Sequence, residues 1–190
     1  LSSLFFNIAS YLNFATVYSH SNLWNKGDAI QKSPVGDAIG ITMTGQVEGS
    51  TRSSRFDNDG LSLSSVRVVE GGKAAAYYGS NRYGQYLGET PTGDLRCLCA
   101  DPGTASAGDF AKGPYLEAVS MSGLQVDFYN DYIGGEIRLA YYCDGEKITP
   151  VTGISITGSL KQVLSSIRLS CNSAVFDGYC GPDKAILQDM

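Results

Sequence analysis

The chain has 190 residues and a formal net charge of −5 at pH 7, with a sequence pI of about 4.8. Hydrophobic residues make up 43% of it, so it can bury enough apolar surface to fold and is not expected to be disordered. The low pI and the lack of a long lysine and arginine run argue against direct binding of nucleic acid. No stretch reaches the ~18 apolar residues of a transmembrane helix, so we expect no membrane partner.

Glycine and tyrosine are unusually frequent, with 23 glycines against 6 prolines, and 12 tyrosines. Because glycine is costly inside helices and tyrosine is enriched in strands, this composition favours strands joined by tight turns. The 5 cysteines are an odd number, which favours a reduced, cytoplasmic protein over a domain held together by disulfides. The chain does not begin with Met, so we expect it to be part of a longer protein.

The first predicted element is a helix over residues 1–18, where apolar residues recur with roughly helical spacing. A polar, turn-rich segment follows, and together they form the expected N-terminal helix and loop arm, residues 1–36. From residue 37 onward, alternation of apolar and polar residues predicts strands. A short helix is predicted over 80–87, and strands are predicted at 39–43, 63–70, 73–78, 95–100, 115–121, 124–129, 133–143, 147–151, 154–156 and 185–187.

A second amphipathic helix is predicted near the other end of the chain. Leu160, Val163, Leu164 and Ile167 have the i, i+3, i+4, i+7 spacing of one apolar helix face. We therefore predict a β-rich α+β domain over residues 37–190. Its sheets should be mainly antiparallel and sandwich-like, with a helix near each end.

The usual catalytic motifs are missing from this chain. It contains no G-x-S-x-G, no P-loop, no H-E-x-x-H and no G-x-G-x-x-G after a strand. Its single histidine, His20, lies beside serines, and we interpret it as a solvent-exposed loop residue. The F-D-N-D-G segment around Asp57 resembles a calcium loop but lacks the downstream glutamate of an EF-hand, so we interpret it as a turn.

Three cysteines are candidates for chemistry. Cys97 and Cys99 would point to the same face of a strand, but structural zinc sites normally use C-x₂₋₄-C pairs, so we interpret both as buried packing residues. Cys180 lies in a glycine-rich segment between Tyr179 and Gly181. A thiol on such a tight loop, outside any regular element, is a candidate metal ligand or reactive thiol.

Several segments, in their order and spacing, resemble the C-terminal domain of the TldD/PmbA proteins, zinc-metallopeptidase relatives also labelled modulators of DNA gyrase. Residues 56–60 (FDNDG) resemble that family's FDDEG loop, and residues 144–148 (DGEKI) resemble its ENGKI turn. Residues 150–158 (PVTGISITG) are similar to its PVKGATLIG run, and the predicted helix follows as the family helix does. The resemblance covers roughly residues 37–187, and the first 36 residues match poorly.

The resemblance implies a zinc site in the active relatives. In the TldD branch, two histidines of an H-E-x-x-x-H helix and a cysteine of a G-x-C-G loop hold zinc, and the glutamate acts as general base in peptide hydrolysis. Residues 178–181 (GYCG) resemble that loop, so Cys180 corresponds to the third ligand. The helix motif should fall near residue 7, but residues 7–12 read NIASYL. We therefore expect no zinc to be bound by this chain alone.

The family also contains the PmbA/TldE branch, which lacks the zinc motif and pairs with an active subunit. We expect this chain to be such a non-catalytic subunit, pairing with a homologous TldD-type subunit in a homo- or heterodimer and helping to form a peptide-binding channel. Its tyrosine-rich strands 133–143 and 73–78 are candidates for holding an extended peptide.

Two alternatives stay open. One is an active zinc peptidase whose histidine ligands come from a missing segment or a partner chain. The other is a secreted β-rich domain that binds peptide or sugar, with a disulfide among Cys143, Cys171 and Cys180. A count of free thiols separates the second alternative from the others, because a cytoplasmic subunit would keep all five cysteines reduced.

Overall fold

The computed structural model describes residues 1–188, so the last two residues of the predicted 37–190 domain lie outside the described part. The helices are α1 (Ser2–Ser10), α2 (Phe14–Tyr18), α3 (Asn81–Leu87) and α4 (Leu160–Ser166). The strands are β1 (Ile41–Thr44), β2 (Val66–Glu70), β3 (Lys73–Ala74), β4 (Cys97–Ala100), β5 (Tyr115–Asp127), β6 (Tyr132–Cys143), β7 (Ile148–Val151), β8 (Ile154–Ser159), β9 (Arg168–Leu169), β10 (Ser173–Phe176), β11 (Tyr179–Pro182) and β12 (Ala185–Ile186).

The strands form two larger sheets and one small ribbon. The first sheet has six strands in the order β10-β11-β4-β1-β2-β3. In the second sheet β6 lies centrally, with β5 along one side and β7 and β8 along successive halves of the other. Strands β9 and β12 form the ribbon. With 15% helix and 37% strand and mostly antiparallel pairing, the predicted β-rich α+β fold is confirmed.

The predicted N-terminal helix is two helices rather than one. Asn13 interrupts it, because its side-chain oxygen accepts a hydrogen bond from the backbone N–H of Ala15 at 2.9 Å and caps α2. The backbone N–H of Phe14, the residue directly after Asn13, donates to the carbonyl of Tyr78 at 2.7 Å. Capping and this long-range contact together replace the helical bonds that a continuous helix would need.

Three of the predicted strand segments differ most from the observed strands. The segment 73–78 is a strand only over Lys73–Ala74. The segments 115–121 and 124–129 join into the single strand β5. Its pairing with β6 is irregular between Ser122 and Gln125, and this bulge accommodates Gly123, whose φ is +68°. The two segments were predicted as separate strands, but a bulge lets one strand continue through this glycine.

One hydrophobic core joins the helices to the six-stranded sheet. Helix α1 buries Leu4, Phe5, Ile8 and Ala9 in the same cluster as side chains of β1, β2, β4 and α4. The predicted amphipathic helix is confirmed as α4, and Ser159 caps it by accepting a hydrogen bond from the N–H of Gln162. The proposed division of the chain at residue 36 stays a prediction. Among residues 1–188, no helix is long and apolar enough to span a membrane.

Candidate functional site around Cys180

Cys180 lies in strand β11, and the prediction that it belongs to a tight loop is wrong. It is paired with Val175 of β10 in an antiparallel ladder and with Cys99 of β4 in a parallel one. The turn precedes it: Asp177 and Gly178 both have positive φ, of 37° and 84°, and connect β10 to β11. An Asp-Gly pair between strands is a strong hairpin signal, and it was present in the sequence.

Gly181 is needed for packing rather than for a flexible loop. A Cβ atom there would lie 2.8 Å from the hydroxyl oxygen of Tyr179 and 2.9 Å from the Cβ of Ala100. The space is taken by the Tyr179 ring, whose O–H donates to the carbonyl of Pro182 at 3.0 Å. Burial raises the pKa of Tyr179, so this hydroxyl stays a donor over the whole physiological range.

Tyr179 and Cys180 point to opposite faces of the sheet, because successive side chains of a strand alternate. Tyr179 stacks on Phe5 of α1, with ring centroids 6.3 Å apart. Cys180 instead lies on the other face, beside Cys99, its register partner in β4. The side chain that resembles a zinc ligand is therefore directed away from the face on which α1 packs.

The positions where the resemblance places the zinc motif, residues 7–12, have other uses here. Ile8 and Leu12 are fully buried in the core. The amide of Asn7 donates to the carbonyl of Ser3 at 2.8 Å. Within residues 1–188, no group of three His, Cys, Asp or Glu side chains could hold a metal ion. The residues present therefore do not fit the zinc site that the resemblance implies.

Cys99 and Cys180 form a pair of neighbouring thiols on this second face of the sheet. Burial, followed by the contact with Cys180, raises the pKa of Cys99 to about 11. Both side chains are half-buried, whereas Cys97 is fully buried, as predicted, with its sulfur 3.9 Å from the Ser50 hydroxyl. The expectation that Cys99 is equally buried is wrong. All five cysteines are free thiols in this structure.

Two other sequence candidates have structural roles. Asp57 organises a turn, as predicted, because its carboxylate accepts hydrogen bonds from the backbone N–H groups of Asp59 and Leu61 at 3.0 and 2.9 Å. His20 is exposed in the loop after α2, also as predicted. Neither Asp57 nor His20 is part of the candidate site formed by Cys99 and Cys180.

The strands proposed to hold a peptide have no free edge. Strand β6, which contains residues 133–143, is paired with β5 on one side and with β7 and β8 on the other. Strand β3 pairs with β2, and on its other side Ala74 bonds through its backbone to Gly27 and Asp28. Both sides of these two strands are therefore taken by other segments of residues 1–188, so neither is suited to bind an extended peptide through its main chain.

The family model that describes the PmbA/TldA metallopeptidase C-terminal domain matches residues 1–188. The chain belongs to this family. The match begins at residue 1, so the TldD/PmbA pattern extends through the helices that were expected to fall outside it. The chain matches no curated protein sequence.

Solved structures that share the fold of this chain include the following three. A candidate modulator of a DNA gyrase from Thermotoga maritima is 18% identical with a TM-score of 0.69, and one from Bacteroides thetaiotaomicron is 17% identical with a TM-score of 0.68; each match covers 95% of this chain and 42% of the other. TldE from Thermococcus kodakarensis is 13% identical with a TM-score of 0.74, covering 92% and 43%. The chain thus spans less than half the length of these relatives.

Proposed function

We propose that this chain is a non-catalytic member of the TldD/PmbA family that pairs with a homologous subunit and helps to form its peptide-binding channel. The observation that carries the proposal is the state of α1. Its motif positions hold Asn7 and the buried Ile8, and no histidine or glutamate occurs in the helix. Because a zinc peptidase needs at least three protein ligands and a base, this helix cannot supply the chemistry.

A peptide would bind along β10 in this proposal. Among residues 1–188, strand β10 pairs only with β11 at the edge of the six-stranded sheet, and all four of its residues are exposed. Val175 and Phe176 are 52% and 72% exposed, which provides apolar contacts beside the unpaired main chain. An extended peptide can add to such an edge by main-chain hydrogen bonds. This edge replaces the two strands that the sequence indicated.

A homologous subunit would bind the outer half of the second sheet, which we define as residues 115–121, 139–143 and 148–151. Large apolar side chains are exposed there on both faces. Tyr141 and Ile148 are 38% and 59% exposed on strands β6 and β7, and Leu116 and Tyr142, which pair across β5 and β6, are 38% and 44% exposed. Clustered apolar side chains of this kind are typical of protein interfaces.

The test is the metal content of the purified chain, measured by elemental analysis alone and after co-expression with a TldD-type subunit. We expect no zinc in the isolated chain, and we expect zinc in a complex that stays together during gel filtration. Cys180→Ala should leave the zinc content of that complex unchanged, since the ligands lie on the partner.

Near-stoichiometric zinc in the isolated chain would contradict the proposal. If the complex contains zinc and Cys180→Ala removes it, the alternative applies in which this chain contributes one ligand to a site that is completed by its partner. A chain that forms no complex with the TldD-type subunit would contradict the pairing. Cys171→Ala is a matched control, because Cys171 is an exposed thiol outside the site.

A further inference from the structure

The contact between strands β4 and β11 is short, and a pair of thiols lies within it. Only two residue pairs form this parallel contact, Leu98 with Tyr179 and Cys99 with Cys180. The first pair belongs to the hydrophobic core, and the second lies on the opposite face. This contact joins the β10–β11 hairpin to the rest of the six-stranded sheet.

The register of Cys99 and Cys180 suits the Cα separation that a disulfide spans. Neighbouring strands lie about 4.7–4.9 Å apart, which is within the Cα separation of about 4.4–6.8 Å that a disulfide spans. The two residues are register partners on neighbouring strands, so their side chains leave the sheet side by side on the same face. Both are half-buried rather than enclosed, so a small oxidant can reach them.

We propose that Cys99 and Cys180 are a site of reversible oxidation, at which a peroxide converts the two thiols into a cross-strand disulfide. One sulfur attacks a peroxide oxygen, the O–O bond breaks, and a sulfenic acid and water form. The sulfur of the second cysteine then displaces the hydroxyl group of the sulfenic acid, which leaves as a second water. Both sulfurs are oxidised, each thiol proton ends in water, and the peroxide is reduced.

The disulfide would fasten the C-terminal hairpin covalently to the centre of the sheet. It would join residues ~80 positions apart, and so restrict the unfolded chain strongly. It would also remove the free Cys180 thiol, which is the residue that resembles a zinc ligand. The inference does not depend on the proposed function, because it rests on the positions of the two cysteines alone.

The experiment treats the reduced full chain with one equivalent of hydrogen peroxide and then alkylates the remaining thiols in denaturant. We expect the number of alkylated cysteines to fall from five to three, and dithiothreitol to restore all five. Tandem mass spectrometry of a digest should link Cys99 to Cys180. Mass spectrometry locates the disulfide in the unsubstituted chain, so it tests the proposal even if a substitution disturbs folding.

The variants separate this pair from the other thiols. Cys99→Ser and Cys180→Ser should each abolish the reversible loss of two thiols, while Cys171→Ser, at an exposed position, should keep it. Circular dichroism establishes that each variant is folded. A link from Cys180 to any other cysteine, a link between two chains, or an unchanged count of five would overturn the proposal.

Discussion

Helix α1 and the outer half of the second sheet are both rich in large apolar side chains, but they bury them to very different extents. Ile8 of α1 is fully buried against the six-stranded sheet, whereas Ile148 of β7 is 59% exposed. The difference comes from topology. Helix α1 packs onto the six-stranded sheet and shares one hydrophobic core with it. The outer half of the second sheet extends beyond the elements that could cover it. Composition alone therefore does not distinguish a core from an exposed apolar surface.

The same substitution at these two isoleucines tests the comparison most strongly. Ile8→Ala removes a side chain from a filled core and should lower the free energy of unfolding by about 2–5 kcal/mol. Ile148→Ala should change it by no more than about 0.5 kcal/mol, because the side chain is mostly in water already. Denaturant unfolding, with the slope unchanged between variants, measures both values.

In a complex with the homologous subunit, Ile148→Ala should have the larger effect on association. If the outer half is the interface, the variant should dissociate more readily in gel filtration, while Ile8→Ala should act only through stability. Equal losses of stability at the two positions would show that the outer half is packed in the isolated chain, and the comparison would fail.

A second prediction concerns the tight packing beside Cys180. Gly181→Ala places a Cβ against the Tyr179 hydroxyl and the Ala100 side chain, and should cost about 1–3 kcal/mol. Gly108→Ala is the control, because its nearest neighbour is 3.9 Å away and its φ is not in the left-handed region. It should change stability by less than about 0.5 kcal/mol. A neutral Gly181→Ala would mean that this segment is loop-like, as the sequence suggested.

Local patterns predicted much of this fold. Helix α4 followed from its apolar spacing, and most strands followed from alternation. The break at Asn13 was missed because the capping contact depends on a side chain that a periodic pattern ignores. Strand β11 was missed although Asp177–Gly178 indicated a hairpin, because the glycines around Cys180 were interpreted as turn residues.

The candidate site was only partly predictable. Cys180 was identified from its glycine-rich surroundings and then from the family resemblance, and Cys97 and Cys99 from their spacing. Their arrangement was not, since the parallel pairing of β4 with β11 joins segments that are far apart in the chain and leaves no local signal. The orientation of Cys180 away from α1 likewise depends on its register in β11, and a one-residue shift would reverse it.

The smallest predicted effect concerns the face of the six-stranded sheet that carries the cysteine pair. Arg67 of β2 pairs with Thr42, which in turn pairs with Cys99, so its side chain lies on this face. The guanidinium donates to the Asp101 carboxylate at 2.8 Å. This face carries an ion pair between Arg67 and Asp101, whereas both faces of the outer half of the second sheet expose large apolar side chains.

The hydrogen bond from Arg67 lowers the pKa of Asp101 below its ordinary value. The carboxylate therefore adds stability above pH about 4, and this contribution is lost as the pH falls through the lowered pKa of the folded state. Asp101→Asn should cost at most about 1 kcal/mol at neutral pH, because the Asp101 side chain is 48% exposed, and should flatten the loss of stability in acid.

Glu70→Gln is the matched control, since Glu70 bonds the same arginine but is 68% exposed. An equal or larger effect at Glu70 would mean that solvent exposure does not govern the strength of these ion pairs. Because the expected cost at Asp101 is smaller than that at Ile8, this sheet should depend on the helix-covered face far more than on its polar one.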